Sequence, residues 1–309
     1  MALIEFHRQM LGDRVRNQAF HDALKKVIRP GMTLTDIGAG TGVLSFFARK
    51  LGAKACYLYE HGEILQIAKK IAKENGIDGC HFLARHSSEE KKPVRTDIVV
   101  SETLGNFALE EHLIENMEDA KRFLKPGGIL IPGTLEQYVA PVTSDRIYKE
   151  LALWDRVGFG IDFASAREIT FQNIYVRTIH PDELFADAIR RWDVINFSQT
   201  NKSICQASEI WMCDRDVTFF GFALWWKTEL VPGVMLSSAP GDPPTHWEQI
   251  FMPVPQPMEM KKGESVQWSI HSDSRRSIGL NVTWKVAQKN AAGQMIGVQE
   301  MDMRRGYVA

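Results

Sequence analysis

The sequence predicts an α/β fold in two parts. A parallel sheet of βαβ units spans residues 1–133, and an antiparallel β-barrel with a helical insert at about 154–185 spans 134–309. Three observations predict it. Short apolar runs alternate with helically periodic segments through the first part. A glycine cluster lies between one such run and the helix after it. Past Pro132-Gly133 the texture changes to short alternating runs separated by turns.

In order along the chain, the apolar runs are 33–37, 55–59, 81–83, 97–101 and 129–132, with helical periodicity at 43–51, 63–74 and 109–123 between them. Lys125-Pro126-Gly127-Gly128 reads as a helix stop directly before the last strand. In the second part the runs are 137–141, 217–226, 266–271 and 279–286, with Pro232-Gly233 and Lys262-Gly263 as turns. The insert carries Trp154, Phe159 and Phe163 and the helix-start signal His180-Pro181-Asp182-Glu183.

Composition bounds the function. The chain has 309 residues, 44% hydrophobic and 24% charged, which excludes disorder for its bulk. A net charge of −1 supplies no positive field for nucleic acid or acidic lipid. The start, MALIEFHRQM, has no apolar core of signal-peptide length, and the apolar stretch 219–226 is too short to span a membrane. Four cysteines without CxxC spacing indicate neither a zinc site nor a disulfide framework. The expectation is a cytoplasmic protein with no metal, no membrane and no nucleic-acid partner.

The sharpest local signal is Asp36-Ile37-Gly38-Ala39-Gly40-Thr41-Gly42 between a strand and a helix. The spacing is GxGxG rather than the GxGxxG of a pyrophosphate loop. Asp36 would repel a phosphate but suits a cationic ligand. Glu60 ends the next strand, where a carboxylate can accept hydrogen bonds from both ribose hydroxyls of a nucleoside. Together these favour S-adenosylmethionine, with a nicotinamide or flavin dinucleotide as the lesser alternative.

The fourth strand ends in Ser101-Glu102, and Glu110-Glu111 follow a loop containing Gly105. Strand ends face the ligand cleft in open α/β sheets, so Glu102 is aimed at it. Two converging carboxylates could bind metal, work as acid and base, or grip a cation. No nearby His or Asp completes a metal set, whereas a guanidinium matches two carboxylates. The plainer alternative is that Glu110 and Glu111 are solvated acids opening the next helix.

The glycine loop, Glu60, the Ser101-Glu102-x-x-Gly105-to-Glu111 spacing and Pro244-Thr245-His246-Trp247 resemble the protein arginine N-methyltransferase family. His7-x-x-Met10-Leu11-x-Asp13-x-Val15-Arg16 is similar to its cofactor-covering helix, and the likeness runs in order over nearly the whole chain. It implies a Rossmann-like class I methyltransferase domain, an antiparallel β-barrel substrate domain and a dimerisation arm at 154–185. Glu102 and Glu111 would then form a "double-E" pair on the guanidinium, and Asp13 and His246 a dyad. His7 and Arg16 would meet the methionine part of the cofactor, Arg16 pairing its carboxylate. Asp36, Gly38, Gly40, Thr41 and Gly42 would line the cofactor, with Glu60 on the ribose and Ser88 or a neighbour at the adenine. Met10 and Trp247 would border the substrate.

Two departures bear on the acceptor. The chain starts six residues before His7, without the tyrosine-rich helix that precedes it in the family. The loop reads Thr103-Leu104-Gly105-Asn106 where the family has Trp-Met-Gly-Tyr, which removes aromatic walls around a guanidinium. The expected activity is methyl transfer to arginine in a protein, in a peptide or as the free amino acid, by a homodimer. The alternatives are a small-molecule methyltransferase with a non-arginine acceptor and a catalytically silent S-adenosylmethionine-binding dimer.

Overall fold

In the computed structural model, which describes residues 3–307, the chain opens with helices α1 (Leu3–Gly12) and α2 (Arg14–Val27). Asp13 separates them because its side chain caps α2, accepting from the Arg16 N–H at 2.8 Å. The first sheet holds β1 (Thr33–Ile37), β2 (Ala55–Tyr59), β3 (Cys80–Leu83), β4 (Thr96–Ser101) and β5 (Leu124–Ile131). All pair in parallel, in the order β3-β2-β1-β4-β5. Helices α3 (Val43–Lys50), α4 (Ile64–Glu74) and α5 (Leu113–Ala120) connect them. Leu34, Ile98, Val99 and Val100 are buried, as strands covered on both faces require. The strand order reverses between β1 and β4, which opens a crevice beyond their carboxyl ends.

The change from parallel to antiparallel pairing falls at Pro132-Gly133, where β6 (Thr134–Val142) begins. Helices α6 (Arg146–Leu151) and α7 (Ala164–Thr170), β7 (Tyr175–Arg177), β8 (Arg190–Asn196) and β9 (Ile204–Met212) follow. Then come β10 (Val217–Val231), β11 (Val234–Ser237), β12 (Gln249–Met260), β13 (Ser265–Asp273), β14 (Asn281–Lys289) and β15 (Met295–Asp302). One sheet runs β7-β12-β10-β6-β8 with β11 on β10, and the other runs β15-β14-β13-β9. The two face each other across buried aromatic residues: Trp192 of β8 meets Trp268 of β13, and Trp211 of β9 meets Phe222 of β10. Helix α2 bridges to this second part, where Lys26 Nζ donates to the Pro232 carbonyl at 2.5 Å.

Three sequence expectations need correction. The helix expected over 109–123 is broken: Glu110–His112 forms a 3-10 turn, α5 starts only at Leu113, and Lys121–Phe123 is again 3-10. Glu111 and His112 have φ of 54° and 58°, which no right-handed helix tolerates. Lys125 to Gly128 is not a stop before the last strand but part of β5, set apart by a register shift against β4. The insert is only partly helical: α7 has seven residues, and β7 pairs with β12. The His180 signal yields a single 3-10 turn, Pro181–Glu183, closed by a capping box.

Candidate active site

The loop after β1 is built by its own backbone. Gly38 and Ala39 N–H groups donate to the Tyr59 carbonyl at 2.9 and 3.1 Å, which ties the loop to the end of β2. Glu60 then closes it, accepting from Gly40 N at 3.0 Å and Gly62 N at 2.6 Å. A carboxylate has about four acceptor positions, so Glu60 keeps capacity for the hydroxyls of a ligand. A Cβ at Gly40 would lie 2.9 Å from His7 Cε1, so only glycine lets α1 seat that imidazole on the loop. Gly42 plays another part. A Cβ there would meet Phe46 at 2.7 Å and Leu58 at 3.1 Å, so it faces the core and shapes the entry to α3.

Beyond the loop opens a cavity of about 910 Å³, bordered by His7, Met10, Asp36, Gly38, Gly40 and Thr41 on this side. Burial pushes the Asp36 carboxyl up to about 6, although the Ser45 hydroxyl, 2.8 Å away, pulls it down. Burial lowers His7, and nearby Arg16 lowers it further against the pull of Glu60. At the far wall the expectation for Ser88 shifts by one residue. Ser88 faces His86, its hydroxyl 2.8 Å from Nδ1, while His86 and Ser87 border the cavity. Among the described residues, the buried Ser87 hydroxyl has no hydrogen-bond partner. An unpartnered donor, a glycine-rich loop and a ribose-type carboxylate around one cavity fit an adenosine cofactor.

The other end of the cavity is made of side chains. Glu102, just past β4, accepts from Leu104 N at 3.2 Å and from Arg16 Nε at 2.8 Å, with Arg16 Nη2 forming an ion pair to the same oxygen. Both side chains are only 6% exposed. Resemblance assigned Arg16 to the cofactor carboxylate; the structure turns it onto Glu102, with Nη1 donating to Asn17 at 2.8 Å.

Glu111 reaches the same cavity because it and His112 both take left-handed backbone, at roughly 1–2 kcal/mol per residue. Burial first, then the charges of Glu102 and Glu110, push the Glu111 carboxyl up to about 7. Glu111 is nonetheless an exposed residue, open to water where it borders the cavity. Glu110 borders the cavity as well but is packed tightly into the loop, where a Cβ on Gly105 would collide with its carboxylate.

His246 and Asp13 meet as expected. Asp13 Oδ2 accepts from His246 N at 2.7 Å and lies 2.8 Å from Nδ1. Burial raises the Asp13 carboxyl, but these contacts and the Arg16 N–H outweigh it and hold the group below its ordinary range.

Trp247 borders the cavity, and its indole N–H also holds the glutamate loop by donating to the Leu104 carbonyl at 2.7 Å. Trp226 does the same for Gly105 at 3.0 Å, and the two indoles pack edge to face, 5.0 Å apart. Asn106, where the family has Tyr, accepts from Glu248 N at 2.9 Å and ties the loop to the segment after Trp247. Trp226, Asn116 and Arg276, all at or behind the cavity wall, were missed in the sequence. Trp226 gave only a strand signal, and the other two gave none.

Known proteins resemble this chain in sequence and in fold. A family model described as the arginine methyltransferase oligomerization subdomain matches residues 135–289, half of the chain. Another, ribosomal protein L11 methyltransferase (PrmA), matches 20–151. Protein arginine N-methyltransferase 2 of Xenopus tropicalis is 26% identical, over 93% of this chain and 71% of that protein. Protein arginine N-methyltransferase 1 of Dictyostelium discoideum is 29% identical, over 84% and 79%.

Among solved structures, the Trypanosoma brucei PRMT1 enzyme–prozyme heterotetrameric complex with AdoHcy superposes with a TM-score of 0.85. It is 23% identical, covering 97% of this chain and 98% of that one. Arabidopsis thaliana protein arginine methyltransferase 10 gives 0.81 at 20% identity, covering 96% and 97%. The chain belongs to the protein arginine N-methyltransferase family and is an S-adenosylmethionine-dependent arginine methyltransferase.

Proposed function

We propose that Glu102 and Glu111 grip the acceptor guanidinium in this cavity while the glycine loop and Glu60 hold the cofactor. The bound cofactor supplies an electrophilic methyl group on a sulfonium. Residues 1–133 form the domain that binds it, and 134–309 the barrel that completes the acceptor side. His7, Asp36, Gly38, Gly40 and Thr41 line it, Gly42 sets the turn, and Ser87 rather than Ser88 meets the adenine. Arg16 serves two carboxylates, that of the cofactor and Glu102, and so ties the two ends of the site together.

A guanidinium is a poor nucleophile because its lone pairs are delocalised and its pKa exceeds about 12. Two carboxylates that bind one side of it draw positive charge toward themselves and leave the far nitrogen richer in electrons. Fixed donors and acceptors do this without reorganising during the reaction. The observation that carries the reading is Glu111, turned by two left-handed residues into the cavity that Glu102 borders and held near neutrality. The Asp13–His246 pair fixes α1, and with it Met10, over the acceptor.

The test is transfer of labelled methyl from S-adenosylmethionine to free arginine, an arginine-rich peptide and a cell lysate, with Glu102→Gln and Glu111→Gln beside wild type. Labelled methylarginine that falls steeply in both variants is the expected result, and the arm that carries label names the acceptor. Full activity in either variant would sink the grip.

Assembly as a homodimer is supported by the arm, where Leu153, Val157 and Ile161 are exposed and Phe159 is 94% exposed. Apolar side chains that far into water mark a contact surface.

A further inference from the structure

We infer that Arg276, on the barrel, is a positioning residue for the acceptor glutamates and acts through Asn116. This rests on the reading of Glu102 and Glu111 given above. Arg276 sits in the turn between β13 and β14, far from both glutamates in sequence. That turn is pinned at each end. Ser274 N donates to the Ser203 carbonyl at 2.8 Å, and Gly279 N donates back to Arg275 at 2.9 Å. Arg275 is held on Asp273 by its own side chain. Arg276 is thereby presented to α5, where its backbone N–H donates to Glu115 Oε2 at 3.2 Å and its Nη2 to Asn116 Oδ1 at 2.9 Å.

The contact to Asn116 fixes which way the amide points. A guanidinium only donates, so it must face the amide oxygen, and the amide nitrogen is left facing the other way. There Nδ2 donates to the Glu111 carbonyl at 2.9 Å and approaches Thr103 Oγ1 at 3.4 Å. Asn116 is largely buried, bordering the cavity with little of its own surface exposed. One amide therefore clamps the segment after Glu102 to the left-handed residue that aims Glu111. A flipped amide would put its oxygen against that carbonyl and release the clamp. Arg276 is the side chain that joins the Glu111 carbonyl in opposing the flip, and through it the barrel helps to set the spacing of two carboxylates borne by the other part of the chain.

The experiment compares Arg276→Ala, Arg276→Lys, Asn116→Ala and the Ala/Ala double variant in steady-state methyl transfer to whichever acceptor the wild type labels. Calorimetric binding of S-adenosylhomocysteine is measured for each. A misplaced group of this kind costs about tenfold or more. Arg276→Ala should lower kcat about tenfold with cofactor affinity unchanged, and Arg276→Lys, still a donor, should recover most of it. The double variant should be no worse than Asn116→Ala. If Asn116→Ala does not fold, Asn116→Asp serves, since it keeps the contact to Arg276 and loses the donors to Glu111 and Thr103; it should be as slow as Arg276→Ala.

Additive losses, a loss confined to acceptor KM, or an equal fall in cofactor affinity would each overturn the inference. So would wild-type kinetics in Arg276→Ala. Glu111→Gln is run alongside: if it is fully active, the grip has failed, and that outcome is separate from any result at Arg276.

Discussion

The two ends of the cavity are built by different means. The cofactor end is backbone from one short stretch, 36–42, closed by a single carboxylate from the next strand. The acceptor end gathers side chains from α1 and α2, the loop after β4, α5, β10 and the segment before β12, and sets several charges against each other. A backbone cradle depends on local sequence, whereas a side-chain cradle depends on the whole tertiary fold. Substitutions should therefore separate into two kinds: those that weaken cofactor binding alone, and those that leave it intact and damage transfer.

Glu102→Gln should have the largest effect and belongs to the second kind. It removes one charge of a buried ion pair and half of the grip, and methyl transfer should fall about a thousandfold while S-adenosylhomocysteine still binds. A comparable loss of cofactor affinity would erase the distinction between the two ends. Glu60→Gln is the opposite case: cofactor affinity by calorimetry should drop about tenfold, one charge-assisted contact's worth, with kcat at saturating cofactor near wild type. Trp226→Phe keeps one aromatic ring but deletes the donor to Gly105 and leaves a cavity where the rest of the buried indole lay. Unfolding free energy should fall by about 2 kcal/mol and acceptor turnover several-fold, with cofactor affinity unmoved.

Glu111→Gln tests pH. The grip needs the ionised carboxylate, so wild-type kcat/KM should rise with pH through about 7 and then level, and the variant's residual activity should lack that limb. Stability moves the other way. The folded carboxyl sits above its ordinary value of 4.5, so both states are protonated well below that and the folded state alone is penalised as pH rises toward 7. The variant should therefore melt higher than wild type at pH 8 and level with it at pH 4, which a pair of thermal scans would check. The smallest catalytic effect is expected at the arm. Phe159→Ser should yield a monomer by light scattering, with secondary structure retained by circular dichroism.

The same contrast explains what the sequence disclosed. The cofactor end was legible because its signals are local: strand, glycines, helix and Glu60 follow one another within a few turns of chain. Glu102 and Glu111 were legible as a pair only by spacing, and that spacing reads as a helix start as readily as a grip. What separates the two is the left-handed backbone at Glu111 and His112, for which neither residue type gives a signal. Arg16 was placed in the site, but its hold on Glu102 spans 86 residues and is set by how α2 packs, not by its neighbours. Trp226 lies 121 residues from Gly105, inside an apolar run whose only readable message was burial. The arm was legible only in outline: its aromatic and helical signals gave a 3-10 turn, exposed apolar tips and one short helix, α7.

The neutral-range carboxyl of Glu111 has a thermal consequence. With that carboxyl raised to about 7, a fraction of the molecules carries a proton on it near neutral pH, and on the proposed reading a guanidinium seated beside it expels that proton to the solvent. Acceptor binding, even with no methyl donor able to react, then releases a fraction of a proton per site, and the heat observed depends on the ionisation enthalpy of the buffer that takes it up. Titrations in phosphate and in Tris at one pH should differ in apparent enthalpy by that fraction of the difference between the two buffers. About two pH units higher, where Glu111 is already bare, the buffers should agree.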